Sequence, residues 1–62
     1  MSNIEKAYNR GHKMGEYIAK RDGVYGAIER GSRANLVYCT LAKAKAYAEG
    51  YDAAVKAVKD NR

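Results

Sequence analysis

Apolar and small residues recur along the second half of the chain at the spacing of an amphipathic helix. The intervals alternate between three and four residues, which is the repeat of a single helix face. This face comprises Ala34, Val37, Leu41, Ala44, Ala48, Tyr51, Val55 and Val58. The pattern predicts a helix over residues 33–60, with Ser32 as its N-terminal cap and Gly31 ending the preceding segment.

The first half of the chain has the same helical period with more interruptions. Its apolar stripe consists of Ile4, Ala7, Gly11, Met14 and Ile18, widened by Tyr8 and Gly15. The Asp-Gly pair at residues 22–23 is a turn signal, so the helix is predicted to stop at residues 21–23. Residues 24–30 are either a short second helix or a continuation of the first. The prediction is one all-α domain over residues 1–62, an antiparallel helical hairpin, with dimerisation into a four-helix bundle as an option.

Small residues also occur every fourth position. In the first half they are Ala7, Gly11, Gly15, Ala19, Gly23, Ala27 and Gly31, and in the second half Ala42, Ala46, Gly50 and Ala54. A glycine inside a helix costs up to about 1 kcal/mol relative to alanine, so the repetition requires a physical reason. We favour close packing of the two helices against each other; a groove for the backbone of a partner is the alternative.

Charge and cysteine content narrow the function and the cellular location. The 62 residues include 12 Lys and Arg against 7 Asp and Glu, for a net charge of +5. This balance favours nucleic acid or an acidic protein surface as partner. The single cysteine, Cys39, indicates a reducing compartment, and no run of residues is apolar enough to span a membrane. We therefore expect a cytoplasmic protein that does not bind membranes.

The residues that usually carry catalysis are too sparse or too far apart. No glycine-rich phosphate-binding loop is present. His12 and Cys39 would lie several turns apart in an antiparallel hairpin that turns near residue 31, so a nucleophile–base pair is not expected. We predict that the chain is not an enzyme and uses no cofactor, metal ion or small-molecule substrate.

The basic residues of the first helix are better placed for function. Four cations and one tyrosine share one face at helical spacing: Lys6, Arg10, Lys13, Tyr17 and Lys20. Lysine and arginine neutralise phosphates, and a tyrosine ring can stack on an unpaired base. The arrangement predicts a nucleic-acid-binding face on this helix.

Two segments resemble a known family. They are residues 7–15, with the spacing Ala-x-x-Arg-Gly-x-x-x-Gly, and residues 46–54, with a Gly-Tyr pair. Together they resemble ribosome modulation factor, a small bacterial ribosome-hibernation protein. The resemblance implies binding near the 3′ end of the small-subunit RNA, which blocks message access and favours inactive ribosome dimers. The positions that match the family are Arg10, Gly11, Gly15, Gly50 and Tyr51.

A different function fits the same composition. The chain is predicted, as the alternative, to be a small inhibitor of the kind that mobile elements use against an acidic host protein. Tyrosine is a frequent anchor residue in protein interfaces. The interface of such an inhibitor would be a helical face presented by a homodimer and formed by Tyr38, Tyr47, Gly50 and Tyr51.

Overall fold

Two helices account for most of the protein. The computed structural model describes residues 2–31, 33, 38 and 40–61, and within these it contains α1 (Asn3–Arg30) and α2 (Leu41–Asp60) and no strand. The helices pack against each other as a hairpin, so the predicted all-α hairpin is confirmed. The predictions for Ser32, Ala34, Val37 and Cys39 fall outside the described residues.

Both ends of α1 are closed by hydrogen bonds. At the start, the Ser2 hydroxyl oxygen accepts from the Glu5 backbone N–H at 3.1 Å, as in an N-terminal capping motif. At the end, the Gly31 N–H donates to the Ala27 carbonyl at 3.0 Å. These contacts satisfy backbone groups that have no partner within the helix.

α1 is sharply bent at Gly23. The φ of 84° and ψ of 164° at this residue lie in a region that is essentially restricted to glycine. A straight helix of 28 residues would be roughly 42 Å long at 1.5 Å per residue, yet the largest extent of the Cα trace is only 32 Å. The Arg30 Nε lies 3.3 Å from the Asp22 carboxylate, eight residues earlier. The predicted stop at residues 21–23 is therefore confirmed, and residues 24–30 form a short helical segment that folds back.

α2 begins later than the sequence predicts. Thr40, with an extended backbone, precedes its first residue Leu41, and Arg33 and Tyr38 are not helical. The predicted start at residue 33 is wrong because part of the chain between the helices is needed to connect them. Leu41, assigned to the apolar seam, is 83% exposed for the same reason: it lies in the first turn, beyond the helix contact.

The stripes of small residues form the contact between the helices. Buried members of the stripes are Ala7, Gly11, Gly15 and Ala19 on α1, and Ala46, Gly50 and Ala54 on α2. A Cβ at Gly11 would overlap the Tyr47 carbonyl, and one at Gly50 would overlap the Tyr8 carbonyl. The two backbones therefore touch, and close packing is the role of the buried small residues. The exceptions are the exposed Ala42 and the half-buried Gly23 and Gly31, where an added Cβ would meet no atom of α2.

The glycine contacts show where the two helices cross. Gly11 faces the backbone of Tyr47, and Gly15, one turn later, faces that of Tyr51. Gly50 faces the backbone of Tyr8, so residues 8–15 of α1 cross residues 47–51 of α2. The chain reverses at Gly23 and returns through residues 24–30 before α2 begins.

The returning segment completes the core. Val24 and Ala27 cluster with Ala19, Tyr51 and Val55, and Ile18 and Val58 pack against this cluster. The Tyr51 hydroxyl donates a buried hydrogen bond of 2.8 Å to the Ala27 carbonyl. Burial raises the pKa of Tyr51 above its ordinary value, against an opposing effect from Arg30. This hydrogen bond ties the returning segment to α2.

Candidate nucleic-acid interface

The basic stripe, formed by Lys6, Arg10, Lys13, Tyr17 and Lys20, lies on the outer face of α1. At roughly 100° per residue, it is on the opposite side of the helix from the buried line that begins at Ala7. All five stripe residues are exposed. In the described part of the chain, no carboxylate forms an ion pair with Lys6, Arg10 or Lys13. The structure therefore places these three cations together and leaves them open to solvent, as predicted.

Lys20 differs from the other cations of the stripe. Its Nζ lies 3.2 Å from the Glu16 carboxylate, the i,i+4 pair expected from the sequence. The two side chains are 65% and 47% exposed, and such surface pairs contribute only about 0.3–0.5 kcal/mol. Lys20 is partly neutralised in the free protein, and an incoming phosphate has only a weak contact to displace.

Tyr17 has a neighbour that sequence reasoning missed. An Arg21 terminal nitrogen donates to the Tyr17 hydroxyl at 3.3 Å, and its guanidinium carbon lies 5.8 Å from the ring centroid. Tyr17 remains 56% exposed, so a large part of the ring is available to stack on a base. The i,i+4 spacing of the two residues was the signal in the sequence that could have indicated this pair. Arg21 extends the stripe by one positive charge.

The outer face of α2 has no comparable charge excess. Its central part carries two exposed cations and two exposed carboxylates, namely Lys45, Glu49, Asp52 and Lys56. Two positive and two negative charges cancel across this surface. The stripe on the far side of the molecule is therefore the more cationic of the two outer faces, and the asymmetry is a property of the fold.

Two residues predicted to bind nucleic acid do not reach the surface. Gly11 and Gly15 are buried against the backbone of α2. Glycines at helical spacing indicated close approach correctly, but the approaching backbone belongs to the chain itself. The prediction that Gly11 and Gly15 contact nucleic acid is therefore wrong. The two glycines hold α1 against α2 and in this way position the basic stripe.

The tyrosine surface predicted for a protein partner is also corrected. Tyr47 and Tyr51 are only 5% and 2% exposed, and Gly50 is buried between the helices. Tyr38 is half-buried, and its ring centroid lies 5.7 Å from that of Tyr47. The tyrosines form part of the core because the sequence contains no Phe or Trp, so tyrosine has the largest ring available for packing.

A cleft beside the stripe is a further feature that the sequence did not indicate. It has a volume of about 330 Å³. The side chains that line it come from both helices and from the connection, and are Met14, Ile18, Arg30, Arg33, Tyr47 and Tyr51. These residues are far apart in the sequence, and only the reversal at Gly23 brings Arg30 and Arg33 beside Met14.

The described residues show no other arrangement with obvious chemistry. They contain no group of three His, Cys, Asp or Glu side chains positioned to hold a metal ion. The His12 ring is half-buried and stacks on Tyr8, with ring centroids 6.3 Å apart. No described helix combines the length and apolar character needed to cross a membrane.

Comparison with known proteins adds no relative. No protein-family model matches the chain, and neither the curated proteins nor the solved structures yield a match. The resemblance to ribosome modulation factor therefore stays a prediction.

Proposed function

We propose that this chain is a small RNA-binding protein that acts through the basic stripe of α1. One observation carries the proposal: Lys6, Arg10 and Lys13 lie together on an exposed face, without carboxylate partners among the described residues. Clustered cations of this kind bind the phosphate backbone. Tyr17 lies in line with them and supports contact with unpaired bases, which are the usual targets of aromatic side chains in RNA recognition.

The proposed target is ribosomal RNA on the small subunit, with inhibition of translation as the outcome. The choice of target depends on the resemblance of residues 7–15 and 46–54 to ribosome modulation factor. Of the matching positions, Arg10 is the exposed cation and would make the RNA contact. The buried matches, Gly11, Gly15, Gly50 and Tyr51, would maintain the helix contact that presents it.

The proposal is tested by reversing two charges of the stripe. Arg10→Glu combined with Lys13→Glu should abolish co-sedimentation with ribosomes, because two phosphate contacts become repulsive. Helical circular dichroism should be retained, since both side chains are exposed. In a translation assay programmed with messenger RNA, the unmodified protein should inhibit and the double variant should not.

A matched control lies on the outer face of α2. Lys45→Glu with Lys56→Glu makes the same change in charge: each substitution replaces +1 by −1, so two of them take the net charge from +5 to +1. This variant should still co-sediment with ribosomes. Equal loss of binding in the two double variants would mean that overall charge, and not the stripe, governs the interaction.

A protein partner is the alternative function, and a pull-down from lysate separates it from RNA binding. Recovery of ribosomal material that disappears after nuclease treatment supports the RNA proposal. Stoichiometric recovery of one acidic protein regardless of nuclease would overturn it. Such a partner would have to contact other residues than the tyrosines predicted for it, and the exposed Tyr25 and Ile28 are candidates.

A further inference from the structure

The cleft between α1 and the returning chain combines an apolar floor with a cationic rim. Its apolar side chains are Met14 and Ile18 of α1 and the rings of Tyr47 and Tyr51. The Tyr51 hydroxyl already donates to the Ala27 carbonyl, so this residue offers the cleft its ring and not a free polar group. A flat aromatic group would replace water at such a surface favourably.

The rim of the cleft has a net positive charge. Arg30 and Arg33 line it from the end of α1 and the start of the connection, and both are exposed. Asp22 lies 3.3 Å from the Arg30 Nε, which orients the guanidinium while leaving its terminal N–H donors available. Arg21 lies 3.9 Å from the same carboxylate, so the single negative charge is shared between two cations.

The size of the cleft suits a ligand of one nucleotide. Its volume of about 330 Å³ lies at the lower end of the roughly 300–1,000 Å³ typical of small-ligand sites. It is also many times the roughly 30 Å³ that one water molecule occupies in the liquid. A planar base with one phosphate matches both the apolar floor and the cationic rim.

Met14 connects this cleft to the basic stripe. The same side chain borders a second, shallower depression whose other walls are Arg10, Lys13 and Tyr17 of the stripe. Met14 is 43% exposed, so part of its side chain is open to each depression. A strand whose phosphates lie on the stripe therefore passes directly over the mouth of the cleft.

From this juxtaposition we propose that the cleft receives one unstacked base of a single-stranded RNA. The base lies on Met14 and Ile18, with the small exposed edges of the Tyr47 and Tyr51 rings at the floor, and its phosphate is bound by Arg33 and the free N–H groups of Arg30. The inference rests on the proposed function, because the neighbouring phosphates occupy the stripe. It adds a site that discriminates single strands from duplexes, whose bases are stacked and paired.

The experiment compares two oligomers that carry equal numbers of phosphates. A labelled ten-nucleotide oligoadenylate and an abasic oligomer of the same length are titrated with the full chain and followed by fluorescence anisotropy. Stacking of one base on an aromatic ring is worth about 1–3 kcal/mol, which corresponds to roughly 5- to 150-fold in affinity. Only the edges of the Tyr47 and Tyr51 rings are exposed, so oligoadenylate should bind about 5-fold more tightly than the abasic oligomer, at the lower end of this range.

Two substitutions locate the preference in the cleft. Met14→Ala should reduce the ratio of the two affinities toward one while leaving abasic binding nearly unchanged. Ile28→Ala removes a similarly exposed apolar side chain that does not line this cleft, and it should preserve the ratio. Arg33→Gln should weaken oligoadenylate binding more than Lys45→Gln, which removes the same charge from the outer face of α2.

A spectroscopic readout makes the site itself visible. The Met14 methyl and the ring protons of Tyr47 should shift in NMR spectra when oligoadenylate is added. The abasic oligomer should leave them unmoved, because it brings no ring current.

The possible outcomes are distinct. Equal binding of the two oligomers, with loss of both in the variant Arg10→Glu, Lys13→Glu, would overturn the cleft inference and leave the stripe proposal standing. Binding of neither oligomer would overturn both. Adenosine monophosphate that binds as tightly as oligoadenylate would show that the cleft takes a free nucleotide, which also contradicts the proposal.

Discussion

Tyr51 illustrates how much a single side chain contributes to a core of small residues. Its neighbours in the cluster include Ala19 and Ala27, so much of the apolar volume comes from this ring. Its hydroxyl donates to the Ala27 carbonyl, which also accepts from the Gly31 N–H. The residue thus couples α2 to the C-terminal end of α1, where the chain leaves the helix.

Removing this hydroxyl gives a measurable change in stability. Tyr51→Phe should lower the free energy of unfolding at neutral pH by about 0.5–1.5 kcal/mol, the usual net contribution of a hydrogen bond. The Ala27 carbonyl keeps its bond from Gly31, so a value at the lower end is expected. Urea unfolding followed by circular dichroism measures the difference.

The same residue predicts a pH dependence. Burial raises the pKa of Tyr51 in the folded state above 10.0, so the fold favours the neutral hydroxyl. This contribution to stability is fully present below pH 10 and is lost as pH rises through the folded-state pKa. The stability difference between the unmodified protein and Tyr51→Phe should therefore shrink as the pH rises above 10.0. A constant difference would contradict the assignment.

The contact between the two helices depends on backbone approaching backbone. Gly11 and Gly50 have no side chain to separate α1 from α2, and each faces a carbonyl of the other helix. Such an interface gains dispersion contacts over its whole length. It also fixes the rotation of α1 about its axis, and this rotation points the basic stripe outward.

Alanine at Gly11 distinguishes this contact from ordinary helix propensity. In an open helix the change would stabilise by up to about 1 kcal/mol. Here the added methyl overlaps the Tyr47 carbonyl, and overpacking of this kind costs about 1–3 kcal/mol. Gly11→Ala should therefore lower the thermal midpoint, whereas Asn9→Ala, at an exposed position of the same helix, should leave it equal or higher. Stabilisation by Gly11→Ala would show that the helices are further apart.

At the scale of the whole molecule, charge is distributed unequally between the two outer faces. The stripe on α1 is cationic, whereas cations and carboxylates balance on the outer face of α2. Even the smallest extent of the Cα trace, 13 Å, exceeds the Debye length of about 8–10 Å at moderate salt. The two faces therefore present different potentials to a partner, and the proposed RNA complex would take its orientation from this difference.

Salt dependence measures how many cations take part. With Lys6, Arg10 and Lys13 each neutralising one phosphate of a single strand, the log–log slope of affinity against salt should be about −2, at roughly 0.7 per contact. Lys13→Gln should reduce its magnitude by about 0.7, and Lys45→Gln should leave it unchanged. A slope that responds equally to both substitutions would indicate diffuse attraction and exclude a defined stripe.

The sequence by itself determined the features that depend on local spacing. The helical character of both halves, the turn at Gly23 and the exposed face of Lys6, Arg10 and Lys13 all follow from periodicity and glycine chemistry. These predictions hold because residues three or four apart share a face in any helix, whatever the tertiary structure.

Only the tertiary structure decided which faces meet. The contact between α1 and α2 buries Tyr47 and Tyr51, and the reversal at Gly23 joins Arg30 and Arg33 to Met14 in one cleft. Periodicity alone does not determine these choices. An apolar stripe indicates that one face of a helix is buried, but not which element packs against it. The connection of limited length and the backbone contact at the glycines select one arrangement among several that satisfy the same pattern.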